Sequence, residues 1–171
     1  MKNKTLTTIN SNHARRYIAV FLFFALLTLR LLGDTSELSL GAGISLDIAP
    51  WGIEQTFFTV YSSYTPSGMP HLMARASISF NRSVVMARFP LCFRLFPAEL
   101  AEEQQFEAWM GGGVELYRSR DYFALAPLLS LGGRFRFQNI FVEIPAESAI
   151  RIGQNNIDSD VGFNAGYIFN F

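Results

Sequence analysis

From residue 37 to the C-terminus, apolar and polar positions alternate with a period of two, which is the signature of β-strands with two unlike faces. Leu38, Leu40, Ala42, Ile44, Leu46 and Ile48 alternate with Ser39, Gly41, Gly43, Ser45 and Asp47. Leu72, Ala74, Ala76, Ile78 and Phe80 alternate with Met73, Arg75, Ser77 and Ser79. Val85, Ala87, Phe89, Leu91, Phe93 and Leu95 lie opposite Arg88, Cys92 and Arg94. Further on, Phe123, Leu125, Leu129, Leu131, Phe135 and Phe137 face away from Ser130, Arg134 and Arg136, and Ile140, Val142 and Ile144 flank Glu143. The pattern predicts eight strands, over 37–48, 56–65, 71–80, 84–96, 106–118, 121–137, 139–147 and 160–171. Turn chemistry separates them at Pro66-Ser67-Gly68, Asn81-Arg82-Ser83, Arg118-Ser119-Arg120-Asp121 and Gln138-Asn139. Longer links are expected over 97–105 and 148–159. Pro90, Pro127 and Pro145 fall inside strands, where each removes a ladder donor, so bulges or shifted boundaries are expected there.

The first 35 residues follow a different rule. Lys2, Lys4, Arg15 and Arg16 precede the apolar run Tyr17 to Leu29, which is the layout of a secretory signal. Removal is expected between Gly33 and Ser36, leaving about 136 residues. The chain thus divides into a signal helix over 1–35 and a single strand-built domain over 36–171. An uncleaved single-span anchor is the alternative for the N-terminal segment.

Alternation does not say which face meets oil. A soluble barrel or sandwich points its apolar face inward, and a transmembrane barrel points it to lipid. Strands of about ten residues fit a tilted membrane crossing. The polar faces carry Gly and Ser beside charges of both signs: Asp47, Arg75, Arg88, Arg94, Glu107, Glu115, Arg134, Arg136 and Glu143. Small residues suit a narrow interior, and the charges can pair across it. A soluble barrel's water face normally carries lysine, yet no lysine follows residue 36. Fourteen basic residues balance fourteen acidic ones, which argues against a nucleic-acid partner. One cysteine, Cys92, rules out an internal disulfide framework and any multi-cysteine metal site.

The last strand is the most specific feature. Phe163, Ala165, Tyr167, Phe169 and Phe171 form one stripe that ends on a terminal aromatic. In this the chain resembles the small outer-membrane β-barrel proteins of bacteria, the eight-stranded class typified by outer membrane proteins A and X. The resemblance implies an all-β, antiparallel up-and-down transmembrane barrel behind a signal helix. It also implies outer-membrane lipid as solvent, and a final strand read by the barrel-assembly machinery during biogenesis. With both termini in the periplasm, the outward loops are 49–55, 81–83, 118–121 and 148–159. Tyr117, Tyr122 and Phe123 are then expected in one aromatic girdle, and Phe135, Phe137, Phe169 and Phe171 in the other.

Candidate chemistry is sparse. His71 is the one histidine outside the signal, without an acid partner in sequence. Gly111-Gly112-Gly113 lacks the Gly-Lys-Ser/Thr of a phosphate loop, and Gly41-Ala42-Gly43 lacks the third glycine of a dinucleotide fingerprint. Asp158 and Asp160, with Glu147, Asn155 and Asn156, offer oxygen ligands but no calcium-loop spacing, and read as a solvated loop. Glu107 and Glu115 stand about 26 Å apart on a straight strand, too far to cooperate as an acid–base pair. The expectation is a monomeric barrel of structural or surface-interaction role, with no catalytic residue, cofactor or metal. A lipid-modifying enzyme of the same membrane and a soluble periplasmic lipid carrier are the alternatives.

Overall fold

A computed structural model describes residues 37–49, 52–101, 104–151 and 156–170. The expected signal helix over 1–35 and the terminal Phe171 lie outside the described residues. The described chain forms eight strands: β1 (Glu37–Ala49), β2 (Gly52–Thr65), β3 (Leu72–Phe80), β4 (Val85–Ala101), β5 (Gln104–Arg118), β6 (Phe123–Phe137), β7 (Ile140–Arg151) and β8 (Asn156–Asn170). Each pairs antiparallel with its neighbour in sequence, and β8 pairs back onto β1 to close a barrel. Glu37 is opposite both Thr65 and Asn170, so the two ends of the domain meet at one rim, called here the terminal rim. The opposite rim is the far rim.

Closure follows from the pattern. Period-two alternation gives every strand one apolar and one polar face, and joining the first strand to the last leaves no unpaired edge. The apolar set faces out. Phe93, Phe123, Leu125, Leu129, Ile140 and Phe163 all have more than half of their surface exposed. The polar set faces in, where Arg88, Glu115, Arg134 and Glu143 are buried.

Three expected links are shorter than the sequence predicts. β2 starts at Gly52 rather than 56, because Ile53 and Gln55 continue the ladder with Ile48 and Asp47 across a bulge. Most of 97–105 is strand, with Ala98 opposite Phe106 and Glu99 opposite Gln105. Most of 148–159 is strand as well, with Ser148 opposite Ser159 and Ile150 opposite Ile157. In each case polar residues imitated a loop, but a lumen or a solvated rim accepts them in strands equally well. The remaining far-rim turns are tight. Asn81 Oδ1 accepts from the amides of Ser83 (2.8 Å) and Val84 (2.9 Å), and Ser119 N donates to the Tyr122 carbonyl at 2.8 Å.

The three prolines are absorbed by one-sided gaps in the ladders. Between β3 and β4 the pairing jumps from Ala74–Leu91 to Ser77–Arg88, passing over Pro90, while Pro90 stays opposite Gly113 on its other side. Between β7 and β8 it jumps from Glu143–Asn164 to Ala146–Val161, passing over Pro145, which stays opposite Gly132. The β6–β7 pairing stops at Leu128–Ala149, one residue short of Pro127.

Candidate functional site: a charge-filled lumen

Two ionic clusters fill the lumen, one above the other. Toward the terminal rim, Glu143 on β7 accepts five hydrogen bonds. Two come from Arg75 on β3 (2.7 and 3.2 Å), two from Arg134 on β6 (2.9 and 3.1 Å) and one from Asn164 on β8 (3.2 Å). Arg134 also donates to Ser39 and Ser63 and lies 3.2 Å from Glu107, which in turn holds Arg94. Arg136 pairs with Glu37 at 3.0 Å, nearer the solvent.

Aromatic rings pack around these guanidiniums. Arg75 lies 4.4 Å from the Trp109 ring centroid and 5.4 Å from that of Tyr61, and Arg134 lies 4.5 Å from that of Phe141. A buried cation over a π face is worth about 0.5–2 kcal/mol. The rings fit because each stands directly opposite a glycine: Tyr61 opposite Gly41, Trp109 opposite Gly132, Phe141 opposite Gly166. A Cβ on those glycines would come within 2.5, 2.5 and 2.6 Å of the facing ring. The small residues of the polar faces are therefore the space into which the large ones lie.

Toward the far rim, Arg88 on β4 is the hub. It reaches Glu115 at 2.7 Å, Glu147 at 3.1 Å, and Asp160. Arg151 on β7 bonds Glu115 at 2.9 Å and pairs with Asp158, while lying 3.7 Å from the Tyr117 ring centroid. Between the two clusters, among Ser45, Thr59, Ser77 and Asn164, the lumen narrows to a void of about 10 Å³. That is room for about one water.

All nine charged residues named from the sequence sit on inward-facing positions. Eight of them, all but Asp47, enter these ion pairs. Asp47 lines the far mouth without an ion pair among the described residues. The sequence gives no lumen role to Glu37 or Arg151. Glu147, Asp158 and Asp160 are corrected from a solvated loop to inward strand positions, with Glu147 and Asp160 bound by Arg88 and Asp158 by Arg151. The signal was available, since Ile157, Ser159 and Val161 alternate with Asp158 and Asp160.

Tyr117 is also corrected. It reaches the far rim, but its ring packs inside against Phe57, Val84 and Met86 rather than joining an outer girdle. The outer aromatics include Phe58 and Phe80 (5.4 Å apart) with Phe123 toward the far rim, and Tyr167 with Phe169 (5.0 Å) near Phe135 and Phe137 toward the terminal rim. His71 is exposed in the β2–β3 turn, where its carbonyl accepts from Arg94 N at 2.8 Å. Cys92 is buried between Met73 and Trp109. Among the described residues, no group of three or more His, Cys, Asp or Glu is placed to hold a metal ion.

No family model and no curated protein sequence matches the chain. Solved structures do. The attachment invasion locus protein Ail of Yersinia pestis, solved in complex with the heparin analogue sucrose octasulfate, is similar over 80% of this chain and 100% of its own, with 13% identity and a TM-score of 0.51. The N-terminal β-barrel domain of OprF of Pseudomonas aeruginosa is similar over 80% of this chain and 98% of its own, with 10% identity and a TM-score of 0.52. At these identities the likeness is one of fold: both are small barrels like this one.

Proposed function

We propose that the chain is an outer-membrane β-barrel protein of structural or surface-interaction role, with no chemistry of its own. One observation carries this reading: the barrel is inside-out relative to a soluble one. Its outer wall is apolar around the circumference, while its interior holds paired charges and rings. Water around such a wall would cost about 25 cal/mol for each Å² of apolar surface left exposed, so lipid is its solvent. A strand of 15 residues, such as β6, tilted by about 40°, rises about 35 Å. That exceeds the apolar band of about 25 Å, so the strand ends project from the membrane. The soluble lipid carrier finds no support, because ion pairs and rings fill the inward positions and, among the described residues, leave no apolar cavity.

In this reading residues 1–35 direct export, the terminal rim faces the periplasm and the far rim faces outward. The stripe Phe163, Ala165, Tyr167 and Phe169, which points outward on β8, presents with Phe171 the strand that the assembly machinery engages. Surface interaction falls to the far-rim turns, which expose Arg82, Arg118 and Arg120. Ionic clusters and rings narrow the lumen to a void of about 10 Å³ between its two halves, so the barrel acts as a monomeric wall and not as a conduit.

The test is the gel mobility of protein from isolated outer membranes, boiled against unboiled in SDS. A shift between the two, with the N-terminus starting between residues 33 and 36, is expected; recovery in the soluble periplasmic fraction without a shift overturns the reading. A substitution tests the wall itself. Leu131→Arg, at an exposed mid-wall position on β6, is expected to lower folding stability in bilayers by about 2–4 kcal/mol. A cost below about 0.5 kcal/mol in a urea titration would mean that this face meets water.

A further inference from the structure

Of the arginines in the described residues, Arg75, Arg88, Arg94, Arg134, Arg136 and Arg151 enter ion pairs of the lumen. The other three, Arg82, Arg118 and Arg120, are exposed at the far rim and enter no ion pair among the described residues. Arg118 ends β5 opposite Val85, which begins β4, so the β3–β4 turn carrying Arg82 and the β5–β6 turn carrying Arg120 are neighbours. Against these three guanidiniums the two turns hold one acid, Asp121. The carboxylates of Asp47, Glu54 and Asp158 line the mouth of the lumen instead. At the terminal rim, the turns 66–71 and 138–139 hold no arginine, lysine, aspartate or glutamate.

Position sets the depth of this basic cluster. Arg118 shares its parity along β5 with Val114 and Leu116, so it leaves the barrel on the lipid side of the wall, opposite the exposed Phe123 on β6. A guanidinium on a long apolar stem at the edge of an apolar band extends toward the headgroup layer. Arg82 is carried by a braced turn. The Asn81 side chain accepts from the amides of Ser83 and Val84 and donates to Gln55 at 3.0 Å. Arg120 stands in a turn closed by the bond from Ser119 N to the Tyr122 carbonyl.

We propose that the β3–β4 and β5–β6 turns form a docking edge for phosphate-bearing lipid headgroups in the leaflet at the far rim. Guanidinium forks match phosphate oxygens two at a time, and a lipid phosphate is held at the depth where Arg118 emerges. A soluble polyanion would meet Arg82 and Arg120 from above and gain little from Arg118, which stands on the wall. The proposal deepens the surface-interaction reading and rests on the lipid-facing wall, whichever side of the membrane the far rim occupies.

The experiment is native mass spectrometry of the refolded barrel in a neutral detergent, titrated with phosphatidic acid, with phosphatidylcholine and, separately, with soluble polyphosphate. The first phosphatidic acid is expected to bind at least about tenfold tighter than the first phosphatidylcholine. Arg118→Gln is expected to weaken it about fivefold, the worth of one basic side chain at an anionic surface. Arg136→Gln removes the same charge from the terminal rim and is expected to leave the affinity within about twofold. Retention of the heat-dependent gel shift confirms that each variant is folded. That shift reads the barrel and the lipid titration reads the rim, so either can fail without the other. Equal affinity for the two lipids, or equal weakening by Arg118→Gln and Arg136→Gln, overturns the proposal. So does polyphosphate binding as tight as that of phosphatidic acid and unchanged in Arg118→Gln, which would make a soluble polyanion the partner.

Discussion

Glu143→Leu is expected to cost the barrel about 3–5 kcal/mol, the typical penalty for removing one partner of a buried ion pair. The carboxylate is wholly enclosed and holds two guanidiniums, each almost fully buried, from strands on opposite sides of the lumen. Without it, Arg75 loses both of its hydrogen bonds, and Arg134 keeps Ser39, Ser63 and the charges of Glu107 and, at 3.8 Å, Glu37. Two cations would then share a low-dielectric space lined by Tyr61, Trp109 and Phe141, whose π faces only partly compensate. A urea titration in detergent micelles, read by the fraction of heat-shifted band, measures the loss. The matched control is Arg136→Gln. Its partner Glu37 is partly exposed, so the cost is expected to stay below about 1 kcal/mol. Equal costs at the two sites would mean that water penetrates the lumen and screens the inner cluster.

That contrast marks the boundary of what the sequence made legible. Period-two alternation is a local property, so the inward placement of Arg75, Arg88, Arg134 and Glu143 could be read residue by residue. Pairing is not local. Arg75 and Glu143 are 68 residues apart, and Arg88 and Asp160 are 72 apart, so their meeting depends on closure and register around the whole barrel. Residues 148–159 imitate a loop for a related reason. Polarity ordinarily signals water, whereas in this fold it also marks the lumen. Tyr117 shows the reverse error, an aromatic near a rim assigned to the girdle although its parity with Glu115 places it inside. The glycine–ring pairs, Gly41 with Tyr61 and Gly132 with Trp109, become visible only once the register is known.

The Gly111-Gly112-Gly113 run gives the sharpest test of that register. Alternation makes the outer two glycines face the lumen and the middle one face lipid. On Gly111 a Cβ would collide with the Leu91 carbonyl oxygen and stand 2.6 Å from Cys92 Cα. On Gly113 it would collide with the Phe89 carbonyl oxygen and stand 2.6 Å from Pro90 Cα. Both obstacles are the backbone of β4, which no side-chain rotation can relieve, so the β4–β5 ladder must part. On Gly112 the nearest atom is the Leu128 carbonyl oxygen at 3.4 Å, an ordinary contact. Gly111→Ala and Gly113→Ala are therefore expected to lose at least about 3 kcal/mol, or to yield no heat-shifted band at all. Gly112→Ala should fold within about 0.5 kcal/mol of the unmodified chain, because alanine restricts the unfolded state and adds apolar surface on the lipid side. A one-residue slip of β5 would exchange every inward residue for an outward one and so invert this order. Severe loss at 112 with tolerance at 111 and 113 would thus mean that Glu107 and Glu115 face lipid, and the two ionic clusters described above could not both exist.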